Sequence, residues 1–390
     1  MYEFRTYLPT KIFFGAGSIN KIKTEAMPGK KALVVISAGT SMRKFGYLAK
    51  LEKVLSEASV DYVIFDKILP NPIKEHVMEG ADIAKKNGCD MIVALGGGST
   101  IDSGKAIAIM AANPGDYWDY INGGTGKGLP VPNDPLPVVA ITTTAGTGTE
   151  ADPWTVITNG EEKIGYGYDK TFPAVSIVDP ELMTSVPKDM TAYQGFDALF
   201  HSTEGYIANI ANPVSEPLSL KAIELVAKWL PVAIAEPGNI EAREMVAYAN
   251  TISGMVETYS GCTSEHSMAH AISGVYPKIA HGAALISISV AYYEFFLGKL
   301  DERMAKMAEA MGADTKGMSA NEGAKAFVKA LADLKEKCGV GDLSLGKFGF
   351  EEAKAEYVAQ NAYDTMGGLY GCDRSEVKFE DTVNILKKSI

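Results

Sequence analysis

From about residue 30 to residue 180 the chain alternates between two hydrophobic patterns. Short runs rich in branched side chains, ALVVIS (32–37), DYVIF (61–65), MIVAL (91–95), PVVAIT (137–142) and AVSIVD (174–179), predict strands. Between them, YLAKLEKVLSEA (47–58) and KEHVMEGADIAKKNG (74–88) carry apolar residues at helical spacing. Strands in regular alternation with helices predict a parallel sheet covered by helices. Beyond Asp179-Pro180 the strand pattern stops, and SLKAIELVAKWLPVAI (219–234), EAREMVAYANTISGMV (241–256) and ERMAKMAEAMG (302–312) all have helical period. The expectation is therefore an α/β domain over 1–180 and an all-α domain over 181–390. The apolar stretch GAALISISVAYY (282–293) has 12 residues, short of the roughly 20 that a membrane span needs, so it predicts a buried helix.

Composition narrows the function. A net charge of −11 over 390 residues argues against nucleic acid and against an anionic membrane surface, both of which favour basic patches. The start, MYEFRTYLPT, has charges and no apolar stretch, so no secretory signal is expected and a cytoplasmic location is. The four cysteines, Cys89, Cys262, Cys338 and Cys372, show no CxxC spacing and are read as reduced thiols without an assigned role.

Two kinds of motif carry chemistry. Strand MIVAL runs into GGGST (96–100) and then into a helical stretch, and a glycine turn at a helix N-terminus offers backbone N–H groups and a positive dipole end to a phosphate. TTTAGTGTEA (142–151) contains G-x-G-x-x-A, but PWTVIT follows it where that fingerprint requires a helix, so the motif is weak. INGGTGKGLP (121–130) lacks the P-loop spacing and reads as a surface loop.

The second kind is histidine. The chain has five, and His201, His266, His270 and His281 all fall in the helical half. Asp197 and His201 stand four apart in one helical pattern, as do His266 and His270, so each pair shares a helix face. Asp197, His201, His266 and His281 supply one anionic and three neutral donors, a set suited to Fe(II) or Zn(II) with a position left for water or substrate.

Taken together, GGGSTID, TTTAGTGTE, GFDALFHSTEGY and EHSMAH with the later AHG resemble the iron-containing (group III) alcohol dehydrogenases, in matching order from about residue 10 to 290, with FGAG (14–17) and IVDP (177–180) adding to the likeness. The resemblance implies a dinucleotide-binding α/β domain, a helical metal-binding domain and a homodimer. It implies Asp197, His201, His266 and His281 as metal ligands and His270 beside the nicotinamide. Pyrophosphate contacts fall on Gly97, Gly98 and Ser99, Asp102 closes that turn, and Thr142 and Thr143 lie near the cofactor. The segment between His270 and His281 resembles the branch of butanol dehydrogenases and broad aldehyde reductases.

The resulting expectation is a metal-dependent, NAD(P)-linked alcohol dehydrogenase working as an aldehyde reductase on small alcohols and aldehydes such as butanol and butanal. The alternatives are a polyol enzyme of glycerol-dehydrogenase type and a non-catalytic metal-binding protein. After strand ALVVIS, Gly39 stands where NAD-type relatives carry an acid, with Thr40, Ser41, Arg43 and Lys44 following, which points to NADP(H) over NAD(H). Iron is the expected metal and zinc the other possibility. For His270 two roles stay open, a proton relay and a ring that only packs on the nicotinamide.

Overall fold

The computed structural model describes residues 3–390. Its backbone divides into two compact units, Tyr7–Ser185 and Val186–Ile390, the latter joined by residues 3–6.

In the first unit the five expected strands form, and a sixth, Lys11–Phe14, joins them. In chain order these are β1 (Lys11–Phe14), β2 (Lys31–Ser37), β3 (Asp61–Ile68), β4 (Met91–Gly96) and β5 (Val138–Thr142), with β8 (Val175–Val178) coming after a separate hairpin of β6 (Thr155–Asn159) and β7 (Glu162–Tyr166). The sheet order is β1-β8-β5-β4-β2-β3, and every pairing within it is parallel. Parallel strands need covering on both faces, which is why β4 and β5 are buried at every position and read as unbroken apolar runs. Val34, Ile36, Val93, Ile141 and Ile177 form one core beneath helix Tyr47–Glu57. β1 lies at the sheet edge and is exposed at both ends, so it has no apolar run to announce it.

The motifs FGAG and IVDP meet through β1 and β8. Phe14 pairs with Val178, and the Asp179 carboxylate accepts from the backbone N–H of Gly17 and Ile19 at 3.1 and 3.3 Å.

The second unit is helical. Lys188–Ile207, Ser215–Ala235, Ile240–Ser260, Ser264–Val275 and His281–Phe295 come first, with further helices continuing to Lys388. Phe196, Phe200, Ile272, Leu285, Tyr292 and Phe296 belong to one core shared by these helices. The 282–293 stretch forms a helix buried on nearly all sides, and none of the described helices is long and apolar enough to cross a membrane.

Candidate metal centre and dinucleotide turn

Helix Lys188–Ile207 places Asp197 and His201 one turn apart, and both are buried. Helix Ser264–Val275 does the same for His266 and His270, and helix His281–Phe295 begins at His281 itself. The four imidazoles gather into one cluster. Ring centroids are 4.3 Å apart for His201 and His266, 5.3 Å for His266 and His281, and 5.0 Å for His270 and His281.

Asp197 Oδ1 is the centre of convergence, 3.4 Å from His281 Nε2, 3.5 Å from His266 Nε2 and 3.8 Å from His201 Nδ1. A tetrahedral ion with bonds of about 2.0–2.1 Å holds neighbouring donor atoms roughly 3.4 Å apart, so His266 and His281 each stand at ligand spacing from Asp197. His201 is less drawn in, because its Nε2 lies 3.7 Å from Glu257 Oε2. His270 is farther from His266, at 6.2 Å between centroids.

The electrostatics suit a cation. Burial alone would raise the Asp197 carboxyl, but His201, His281 and hydrogen bonding from His266 outweigh it and hold the group well below the ordinary range. Burial alone would lower His266, yet Cys262, Glu204 and Asp197 push it well above its usual value. Positive charge is thus favoured at this point in the interior.

Glu204 is the residue that sequence reasoning missed. It lies seven positions after Asp197 on the same helix and is fully buried. Its carboxylate is hydrogen-bonded to His266 Nδ1, and it accepts from the backbone N–H of His266 at 3.0 Å and from the hydroxyl of Thr263 at 2.9 Å. Fixing Nδ1 in this way leaves Nε2 aimed at Asp197. A buried acid in phase with Asp197 and His201 was the available signal.

In the α/β unit, the glycine turn and the threonine motif are packed together. A Cβ on Gly97 would meet Thr144 at 2.7 Å, and one on Gly98 would meet Thr147 at 2.4 Å, so only glycine lets the loop lie so close. Gly97 caps helix Gly98–Ala112, whose first N–H groups, including that of Ser99, emerge from the helix end as an anion site requires. The Ser99 hydroxyl donates to Pro70 O at 3.4 Å. Thr142 and Thr143 are buried, the Thr142 hydroxyl donating to Thr144 O and the Thr143 N–H to Gly96 O.

Asp102, expected to close the glycine turn, ties the helix after that turn to the threonine motif. Its carboxylate accepts from the Thr149 hydroxyl at 2.6 Å and from the Val156 N–H at 3.0 Å, anchoring the threonine loop and β6. Lys105, fully buried, adds bonds to Thr149 Oγ1, Asp152 and Trp154 O. The TGTE stretch continues through a short 3-10 turn, Thr149–Ala151, into strand β6, so the helix that its G-x-G-x-x-A spacing would need is missing. The 121–130 loop is clamped at Thr125 by Glu162 of β7.

After β2, Gly39 and Thr40 are exposed and Ser41 opens the short helix Ser41–Lys44. Arg43 is paired with Asp66 of β3 at 2.8 Å.

Comparison with known proteins covers both units. The pattern for iron-containing alcohol dehydrogenase matches residues 9–180, and that for the C-terminal part of the Fe-containing alcohol dehydrogenase family matches 191–390. The chain is 35% identical to the NAD-dependent methanol dehydrogenase of Bacillus methanolicus, covering 98% of this chain and 99% of that one. It is 33% identical to the NADPH-dependent butanol dehydrogenase of Clostridium saccharobutylicum, covering 92% and 91%. Among solved structures it superimposes on an archaeal halo-thermophilic alcohol dehydrogenase from a Red Sea brine pool with a TM-score of 0.95 at 37% identity, over 100% of both chains.

Proposed function

Because this chain belongs to the iron-containing alcohol dehydrogenase family and interconverts alcohols and aldehydes with a nicotinamide cofactor, we propose that it works as an NADPH-preferring aldehyde reductase with Fe2+ held by Asp197, His201, His266 and His281. The observation that carries the metal assignment is the convergence of His266 and His281 on Asp197 at 3.5 and 3.4 Å. Bound there, the ion supplies a Lewis acid for the carbonyl oxygen and the reduced nicotinamide supplies the hydride.

The chain's own residues do the rest. Glu204 fixes the tautomer and angle of His266. Gly97, Gly98 and Ser99 hold the pyrophosphate by backbone N–H groups, with Thr142 and Thr143 shaping the wall beside it. His270, one helical turn from His266, stays off the metal and delivers the proton that alcohol formation needs, the imidazole acting as general acid.

The NADPH preference rests on Gly39, where an added Cβ would have only Ser37 Oγ near it, at 3.9 Å. That space takes a 2′-phosphate, with Thr40 and Ser41 as donors. Arg43 becomes its counter-ion, because an exposed pair such as Arg43–Asp66 is weak and exchanges partners at little cost. The substrate class is small primary aldehydes such as butanal, the active unit is a homodimer, and the cytoplasm is where it acts.

Two measurements test this reading. Elemental analysis of His281→Ala should find the metal gone, and full occupancy would sink the ligand set. Initial rates with butanal, propanal and a glycerol control should show higher kcat/KM with NADPH than with NADH, and Gly39→Asp should shift the ratio toward NADH by about tenfold, roughly 1.4 kcal/mol. Equal efficiency with both cofactors, or a preference for NADH, refutes the cofactor assignment.

A further inference from the structure

Cys262 was left without a role by its sequence context, yet it is buried beside the metal centre. One ligand atom each from His201, Cys262 and His266 lie within 4.8 Å of one another, as do those of Asp197, His266 and His281. The two triads share His266. They differ in chemical hardness, because a carboxylate oxygen in one is replaced by a sulfur in the other.

His266 is buried, with Nδ1 held by Glu204 and Nε2 3.5 Å from Asp197 Oδ1, so this one imidazole faces the donor atoms of both triads. The Cys262 sulfur lies within 4.8 Å of a ligand atom of both His201 and His266, and Glu257, 3.7 Å from His201 Nε2, adds negative charge at the same place. Two imidazoles and a thiol are the donors that thiophilic ions select, whereas a carboxylate with imidazoles suits Fe2+.

We propose that His201, Cys262 and His266 form a second, softer metal position that overlaps the Asp197–His266–His281 position and takes thiophilic divalent ions such as Zn2+ and Cd2+. Occupation breaks the Cys262 Sγ–H bond, forms the Sγ–metal bond and releases the proton to the buffer, with no change of oxidation state. Because His266 serves both triads, one ion per chain is held, and soft ions exclude Fe2+. The outcome is a centre whose metal content follows the relative supply of hard and soft ions. The inference rests on the ligand set proposed above only through His201 and His266, and Asp197 lies outside it.

The test uses the intact chain stripped of metal and titrated with Cd2+, a probe whose thiolate complexes absorb in the ultraviolet while its carboxylate and imidazole complexes add no such band. Wild type should bind one equivalent with a thiolate-to-metal band. Cys262→Ser and Cys262→Ala should both lose the band, while circular dichroism shows the helical content kept. Asp197→Asn should retain the Cd2+ band while losing Fe2+. A wild-type complex without the band overturns the proposal, and so does a band that persists in both Cys262 variants, which would place the sulfur at Cys89, Cys338 or Cys372. Retention of Fe2+ by Asp197→Asn would instead refute the ligand set of the preceding section and leave the Cd2+ result to stand by itself.

Discussion

The residue whose removal isolates orientation from ligation is Glu204. It sits against His266 Nδ1, not against the metal position, so Glu204→Gln leaves all four candidate ligands in place. Partners of this kind are worth about 10–100-fold in metal affinity, and a competitive chelator titration should show a loss in that range. An unchanged affinity would mean that packing alone holds the ring. His270→Ala separates two further roles. The variant should keep its metal and lose rate, with added imidazole restoring part of it if the ring relays a proton. A metal-free variant would make His270 a ligand. Asp373 makes a different prediction, about pH. Burial pushes its carboxyl up to about 7, against opposing hydrogen bonds from Ser264 and Tyr292. The unfolded chain has this group near ~3.9, so between those values the native state binds the extra proton. Its contribution to stability is fully present below the unfolded value and is lost as pH rises through about 7. Urea midpoints should therefore show Asp373→Asn gaining on wild type at pH 8 relative to pH 5, and parallel curves would place the titration elsewhere.

At the scale of elements, the centre depends on three helix axes holding their distances. Gly282, the second residue of helix His281–Phe295, abuts helix Lys188–Ile207 so closely that an added Cβ would lie 2.1 Å from Tyr193 O. Backbone cannot yield there as a flexible side chain could. Gly282→Ala should cost about 1–3 kcal/mol as an overpacked contact, and it should also weaken metal binding without touching a ligand, because His281 shifts with its helix. Thermal unfolding and metal analysis of the variant check both parts. The same elements show what the sequence made legible. The i,i+4 pairs Asp197/His201 and His266/His270 announced shared helix faces, and the structure gathers their side chains into one cluster. Cys262 and Glu204 were not legible, because a thiol in a loop and an acid seven residues along a helix acquire meaning only when helices from distant parts of the chain are packed together. β1 escaped for another reason. A four-residue edge strand with exposed ends lacks the apolar run that gives a central strand away.

For the whole molecule, the strongest pattern was the switch of hydrophobic period near residue 180, and the six parallel strands followed by an unbroken series of helices match it. Asp102 shows what a motif leaves out, since GGGSTID reads as one local unit while the Asp102 carboxylate accepts from Thr149 and Val156, roughly fifty residues on. Long-range anchoring of this sort leaves no local signature. Metal coupling is a property of the chain as a whole. An ion that binds only the native state stabilises it by about 2.7 kcal/mol at a hundredfold excess over Kd, so anaerobic addition of Fe2+ should raise Tm in proportion to the logarithm of its concentration, and Asp197→Asn should abolish the rise. A rise that persists in that variant would place the ion elsewhere.

The pairing of β1 with β8 also sets a clock. Lys11–Phe14 is synthesised some 160 residues ahead of Val175–Val178, its only sheet partner among the described residues, and Asp179 must arrive before the turn after β1 gains its carboxylate acceptor. At about 5–20 residues per second, β1 waits roughly ten to thirty seconds for its mate. During the wait both β1 and the flank of β5 that β8 will cover present open backbone edges, the kind of surface that pairs with the wrong chain. Nascent chains stalled before residue 175 should therefore be the aggregation-prone species, and holdase chaperones should crosslink to β1 until β8 is made.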